Sequence, residues 1–152
     1  AFVLSLVCIG PTLLMLIANI LQSSGPDGFG DIMLTLVRVI GAGLVVTVLY
    51  TAVTVGLASL TDRKAIASAL LILVFLVSLT VVGGLSSAGA GDGVGVGSVT
   101  NLSLELAIRV HGERGEVMPG APSATVWVGF VLWVVGGFAL ARYRLKHLPV
   151  TR

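Results

Sequence analysis

Residues able to act as general acids or bases are few in this chain. Glu105, Glu113 and Glu116 lie close together in the sequence, and two of them could serve as a carboxylate pair for hydrolysis. Their surroundings are polar and rich in glycine, so we expect an exposed loop without the burial or fixed geometry that activates a carboxyl group. The pattern therefore predicts a solvated loop rather than a hydrolytic site.

Metal and nucleophile chemistry also lack a suitable set of residues. Cys8 is the only cysteine and lies in an apolar run, while His111 and His147 fall on opposite sides of the expected membrane and could not share a metal ion. The sequence thus predicts no enzyme, no metal site and no cofactor bound by this chain.

The glycine-rich stretch 83–97 (GGLSSAGAGDGVGVG) contains repeats that look like a phosphate-binding loop. Such a loop requires a strand before it and a helix N-terminus after it, whereas here an apolar run precedes it. We predict a flexible linker without a nucleotide site.

The composition indicates a membrane protein. Of the 152 residues, 56% are hydrophobic and 11% are charged, and the mean hydropathy is +1.08. Soluble domains carry roughly 25% charged residues. The net charge of +2 arises from basic residues near the ends of apolar runs, so we expect contact with membrane lipid and none with nucleic acid.

Four apolar runs are long enough to cross a bilayer, because about 20 helical residues span roughly 30 Å. They predict an all-α, polytopic transmembrane helix bundle that forms a single domain over 1–152. The chain enters its first run without the basic segment of a signal peptide, and we interpret it as the C-terminal part of a longer protein. The predicted spans are 2–21, 39–60, 65–85 and 125–141.

Two features within the spans concern helix geometry. Gly10 and Pro11 predict a kink in the first span, because proline removes a backbone donor; this kink is either a gating hinge or a static packing feature. The pairs Ala52/Gly56 and Gly137/Ala141 have the small-xxx-small spacing that permits close contact between membrane helices.

The segment 86–124 is predicted to be external, with the glycine-rich loop followed by an amphipathic stretch at 99–111. Its apolar residues alternate with polar ones, which favours a strand. An isolated strand would leave backbone groups unpaired in a membrane, whereas an interfacial helix could present Val99, Leu102, Leu106 and Val110 on one face. Both alternatives remain open from the sequence, with the helix favoured.

The distribution of basic residues predicts the orientation. With four spans, the connection 61–64 and the C-terminal tail lie on the same side, which carries six of the nine Lys and Arg residues. By the positive-inside rule this side is cytoplasmic, so the C-terminus is expected in the cytoplasm. Trp127 and Tyr143 stand near the two ends of the last span, where aromatic residues anchor helices at the membrane surface.

No predicted span contains Asp, Glu, His or Lys near its middle. An ion-coupled transporter normally carries such a titratable group at that depth. The spans instead hold hydroxyl-bearing and amide side chains, most of which bond their own helix or a neighbouring one. A transporter of this composition would need another source of energy.

The sequence resembles the permease subunits of type 2 ATP-binding-cassette (ABC) transporters of bacteria and archaea. The resemblance lies in the run 55–70 (VGLASLTDRKAIASAL), in Phe75-Leu76, in Gly83-Gly84-Leu85 and in the basic ending Arg142-Tyr143-Arg144. In that family a span ends in a similar stretch, a short basic cytoplasmic turn follows, and an alanine-rich span returns outward. The last external segment of such permeases carries short re-entrant or interfacial helices.

The resemblance implies that the four spans are the third to sixth of a six-span permease in the plasma membrane. It further implies a homo- or heterodimer of permeases, bound to a separate cytoplasmic ATPase that supplies ATP hydrolysis. Arg63 and Lys64 would then face the ATPase, although a topology signal also explains them. The alternative interpretation is a structural or assembly subunit of a membrane complex that performs no transport.

Overall fold

A computed structural model describes residues 9–10, 13–14, 17–18, 28–113, 115 and 117–146. Among these residues every regular element is helical, and three helices are long and apolar enough to cross a membrane. The prediction of an all-α membrane bundle is therefore confirmed. The first predicted span, 2–21, lies largely outside the described residues, and so does Pro11 of the predicted kink; Gly10 is helical.

The first long helix, α1, runs from Phe29 to Ala58, a length of 30 residues. It begins ten residues before the predicted span at Val39, so the span belongs to a longer continuous helix. Asp31 in the first turn favours this start, because a negative charge stabilises the positive end of the helix dipole. At about 45 Å, α1 exceeds the thickness of a bilayer core.

The second helix, α2, spans Lys64–Ser87 and follows α1 after a short polar turn, in which the Arg63 backbone N–H donates to Thr61 Oγ1 at 3.2 Å. It continues through Gly83 and Gly84, which were expected to begin the linker. Gly89, with φ of 84°, then reverses the chain. The N–H groups of Gly89 and Ala90 donate to the carbonyls of Ser86 and Leu85, which is the Schellman pattern of a helix end.

The glycine-rich segment after α2 is ordered, which corrects the prediction of a flexible linker. Asp92–Gly97 forms a 3₁₀ helix. Gly95 is buried against Met118, and a methyl group added at Gly97 would lie 3.3 Å from the Val82 side chain. The glycines therefore let this backbone pack closely against neighbouring elements, a role that glycine fills because it lacks Cβ.

The amphipathic segment is a helix, α3, over Val99–Val110, which resolves the alternatives of strand and helix. Ser98 caps it by accepting a hydrogen bond from the Asn101 N–H at 3.4 Å. Val99, Leu102 and Leu106 are fully buried, as the predicted apolar face requires. Protein covers this face, since the three side chains pack with residues of α1 and α4 in the main hydrophobic core.

The last helix, α4, covers Ser123–Lys146 and packs along α1. A Cβ atom built at Gly56 would lie 2.9 Å from the Gly137 Cα, and one built at Gly137 would collide with the carbonyl oxygen of Ala52. The two predicted small-residue pairs thus meet each other, which confirms the expected close contact. Arg144 reaches Asp62 at 3.4 Å, so the turn after α1 and the end of α4 share one end of the bundle.

Candidate functional site

Between α2 and α4, the described residues 88–113, 115 and 117–122 fold back into the bundle. We name them the outer cap, after the side of the membrane predicted for them. The indole N–H of Trp133 donates to the carbonyl of Val96 at 2.9 Å, and Val96 would also contact a Cβ atom placed on Gly129 at 2.8 Å. Trp133 lies near the midpoint of α4. The outer cap therefore reaches about halfway along a helix that is long enough to cross the membrane.

Such re-entry is compatible with a bilayer because protein groups form hydrogen bonds with the backbone involved. Non-helical backbone at membrane depth is tolerated where protein or water, rather than lipid, satisfies its polar groups. Here Ser98 is fully buried and caps α3, while the indole of Trp133 satisfies the carbonyl of Val96. The N-terminus of α3 consequently ends inside the bundle.

Four hydroxyl-bearing residues of α1 share one side of that helix, and we name them the hydroxyl face: Thr47, Tyr50, Thr51 and Thr54. Spacings of three and four residues bring side chains onto the same side of an α-helix. Thr47 is 4% exposed and its Oγ1 has no hydrogen-bond partner among the described residues; the Oγ1 of Thr51 is also buried and unpartnered there.

These two threonines differ from other hydroxyl residues in the long helices. Thr35, Ser78, Thr80 and Ser87 each donate to a carbonyl of the preceding turn, as is usual for hydroxyl groups within helices. A buried hydroxyl without a partner costs about 1 to 3 kcal/mol. Thr47 and Thr51 therefore offer two hydrogen-bonding groups to a water molecule or to a polar ligand.

Tyr50 links the hydroxyl face to the rest of the bundle. Its hydroxyl lies 3.2 Å from the Ser103 Oγ of α3, and its ring stacks on Phe75 of α2 with 5.5 Å between the ring centroids. One side chain thus contacts both α2 and the re-entrant part of the outer cap. A movement of either element would therefore shift Tyr50 within the hydroxyl face.

Towards the C-terminal end of α1, the hydroxyl face continues into a groove between α1 and α2. Thr54, Ala58, Ala67, Ser68 and Leu71 line this cavity of about 270 Å³. Its walls are apolar apart from the hydroxyl groups, and Ala58 and Ala67 lie within a few residues of the turn that carries Arg63. Hydroxyl groups consequently follow α1 from its centre to the end shared with the C-terminal part of α4.

Glu105 of α3 is completely buried, which corrects the prediction of an exposed, unfixed carboxylate. Arg109 Nε donates to Glu105 Oε1 at 2.6 Å, and the Met118 N–H donates to Oε2 at 3.2 Å. Gly115 packs directly on the carboxylate, where a side chain would collide with it. Both oxygen atoms of this carboxylate therefore have partners.

Arg109 completes the connection between α3 and the start of α4. Its guanidinium also donates to the Ser123 hydroxyl at 2.9 Å, to the Ala121 carbonyl at 2.7 Å and to the Met118 carbonyl at 3.3 Å. Asp92 accepts from the Gly120 N–H at 2.8 Å. This network fixes the outer cap. Of the other two carboxylates singled out from the sequence, Glu113 is exposed and Glu116 lies outside the described residues.

The residues singled out from the sequence are spread over both ends of the bundle. Arg63 is exposed and precedes α2, and Lys64 begins that helix, although its side chain is not described. Trp127, 40% exposed, and Tyr143, 66% exposed, lie near opposite ends of α4. These positions are those expected for interfacial anchors. Their anchoring role and an ATPase-facing role for Arg63 and Lys64 stay predictions.

Sequence reasoning missed the two features that the structure makes most specific. The Glu105 and Arg109 pair has the spacing of four residues that favours an ion pair on a helix, and this signal could have found it. The unpartnered state of Thr47 and Thr51 has no such signal, because the sequence does not show whether a hydroxyl bonds its own helix. Among the described residues no group of three or more His, Cys, Asp and Glu could hold a metal ion.

Fold and site together define a helical membrane protein in which the segment between α2 and α4 folds back between the long helices. No family model, curated protein or solved structure matches the chain. The resemblance to ABC permeases accordingly stays a prediction from the sequence.

Proposed function

We propose that the chain is a membrane-spanning part of a permease for an ATP-driven exporter of the type 2 ABC class. The observation that carries the proposal is the hydroxyl face, where Thr47 and Thr51 are buried within an apolar helix without hydrogen-bond partners among the described residues. Uncharged hydroxyl groups can contact a passing polar group without holding it as tightly as a charge would. A transport pathway requires such weak, repeated contacts.

The end of the bundle beside Asp62 suits contact with an ATPase. Arg63 and Arg142 are exposed there, and Arg144 and Lys146 follow on the same end of α4. This basic surface could meet acidic side chains of a cytoplasmic partner, as charge complementarity favours association. We therefore propose that this end and the C-terminus lie in the cytoplasm and that the membrane is the plasma membrane.

The surface of α2 is suited to contact with further helices. Only 6% of its most apolar stretch is buried, against 28% in α1. Permeases of the proposed class work as dimers, and either a second permease or further spans of a longer chain would cover part of this surface. Lipid would cover the remainder.

Purification of the full-length protein from its native membrane tests the proposal. A cassette ATPase should co-purify in stoichiometric amount, and its rate of ATP hydrolysis should change when the permease is present. Absence of such an ATPase would overturn the proposal and favour a structural or assembly subunit.

Two variants test whether the hydroxyl face is needed for the effect of the permease on ATP hydrolysis. The double substitution Thr47→Val and Thr51→Val keeps side-chain shape but removes both hydroxyl groups. We expect it to abolish the effect of the permease on ATP hydrolysis. Thr80→Val is the matched control, because the Thr80 hydroxyl bonds the carbonyls of Leu76 and Val77 in its own helix. Equal coupling in both variants would contradict a pathway at the hydroxyl face.

A further inference from the structure

An apolar groove runs along the contact between α1 and α4, on a different side of α1 from the hydroxyl face. It encloses about 320 Å³, and its lining includes Gly56 and Leu57 of α1 and Leu132, Gly136, Gly137 and Leu140 of α4. Gly136 leaves open space where a side chain would lie, while Gly56 and Gly137 let the two helices approach closely beside the groove. From Leu132 to Leu140 it extends about 12 Å, close to the depth of one leaflet of a 30 Å hydrocarbon core.

A basic residue stands at the end of this groove. Arg144 follows Leu140 by four residues and Gly137 by seven, so it continues the face of α4 that lines the groove. Helical side chains lean towards the N-terminus of their helix, which directs the Arg144 stem over the turn of Leu140. Arg144 Nε is buried without a hydrogen-bond partner among the described residues.

The contact between Arg144 and Asp62 is weak, so a stronger hydrogen-bond acceptor could replace Asp62. Its Nη2 donates to Asp62 Oδ2 at 3.4 Å, and the two side chains are 41% and 83% exposed. Exposed ion pairs of this kind contribute little to stability. A phosphate could instead accept two parallel hydrogen bonds from the guanidinium, the geometry for which arginine is especially suited.

We propose that the groove between α1 and α4 binds one anionic phospholipid, with an acyl chain along Gly136 and Gly137 and the phosphate on Arg144. The groove supplies apolar contact at the depth of an acyl chain, and Arg144 supplies charge at the depth of a headgroup. Arg142 and Lys146 add positive charge to the same end of α4. The inference does not depend on the transport function.

Charge favours a lipid over a second copy of the chain in this groove. A two-fold dimer across this face would bring Arg144 and its basic neighbours close to the same residues of the other copy, because such an interface pairs the same surface of both subunits. Like charges facing each other oppose association. An anionic headgroup neutralises them instead, and the cytoplasmic leaflet provides anionic lipids.

Native mass spectrometry of the full chain in detergent tests this site. The protein is stripped of lipid and then titrated with phosphatidylglycerol or with phosphatidylcholine of the same acyl chains. We expect one tightly bound phosphatidylglycerol and an affinity about tenfold higher than for phosphatidylcholine. Equal binding of the two lipids would overturn the headgroup contact.

Gly136→Leu tests the acyl-chain contact. No atom lies within 4 Å of a Cβ atom built at Gly136, so leucine should fill the groove without disturbing the helices. Gly83→Leu is the matched control, since that position in α2 is equally open. We expect the bound lipid to be lost in Gly136→Leu alone. Retained lipid in this variant would overturn the proposal, as would a loss of dimers without a loss of lipid, which would indicate a second copy in the groove.

Arg144→Gln tests the headgroup contact, with Arg142→Gln as its control on the exposed side of the same turn. We expect Arg144→Gln to lower the affinity for phosphatidylglycerol about tenfold, to the level of phosphatidylcholine. Arg142→Gln should retain the preference. Equal losses in both variants would show general attraction of an anionic lipid to a basic surface and would overturn a specific site.

Discussion

Glu105 shows how a single residue can hold a whole segment in place. Its carboxylate is buried, contacts Arg109 and the backbone of Met118, and lies under Gly115. Burial of a charge is costly unless it is paired and hydrogen-bonded, and both conditions are met here. The pair therefore fixes Gly115 and Met118, in the connection from α3 to α4, against α3.

Substitution of Glu105 by alanine should destabilise the protein by about 3 to 5 kcal/mol, because it leaves the buried Arg109 guanidinium without its counter-ion. Amide hydrogen exchange should rise most over 112–122, and the free energy of unfolding should fall in detergent titrations. Glu113→Ala is the control, since Glu113 is exposed and its loss should change stability by less than about 0.5 kcal/mol. Equal stability of the two variants would refute a structural role for the buried pair.

The long helices were predicted where the hydrophobic pattern and the positions of the charged residues determine them. The helices α2 and α4 contain the predicted spans 65–85 and 125–141, and α1 covers the predicted span 39–60 up to Ala58. The small-residue pairs at Ala52/Gly56 and Gly137/Ala141 meet as their spacing indicated. The helix ends were predicted less well, because polar residues such as Asp31 and glycines such as Gly83 can continue a helix when packing or capping favours it. Both positions are exposed, so capping and charge at the helix ends, rather than tertiary packing, favour helix there.

The outer cap was the least predictable element. Its glycines indicate flexibility when local composition alone is considered, since such a chain has little to bury and much conformational entropy to lose. In the structure Gly95 and Gly97 pack against Met118 and Val82, which are distant in sequence. The lack of side chains that suggests a flexible linker also permits close packing. Only the residues that the glycines contact in the fold distinguish a flexible linker from a packed segment.

The contact between α1 and α4 should be sensitive to one methyl group. Gly137→Ala places Cβ against the carbonyl of Ala52, and overpacking of this kind costs about 1 to 3 kcal/mol. The better helix propensity of alanine returns at most about 1 kcal/mol, so we expect a net loss of thermal stability in detergent. Gly136→Ala, with open space at Cβ, should be neutral or stabilising. A stable Gly137→Ala variant would argue against the close packing of these helices.

At the scale of the whole molecule, the described helices determine which segments share an end. The contact between Arg144 and Asp62 joins the turn after α1 to the end of α4, while α2 leads away from that turn to the outer cap. A helix of 24 residues extends about 36 Å, enough to separate Arg63 from Ala90 by a bilayer. By the positive-inside rule we expect Arg63 in the cytoplasm and Ala90 on the outside.

This topology can be measured with single cysteines introduced into a Cys8→Ser background. Arg63→Cys should react with a membrane-impermeant thiol reagent only after the cells are opened, whereas Ala90→Cys should react in intact cells. Both positions are exposed, so a difference in labelling reports the side of the membrane and not burial. Labelling of Arg63→Cys alone in intact cells would reverse the orientation and remove Arg63 and Lys64 from the reach of a cytoplasmic ATPase. Equal labelling of both in intact cells would contradict α2 as a membrane-spanning helix, and with it the bundle on which the transport proposal rests.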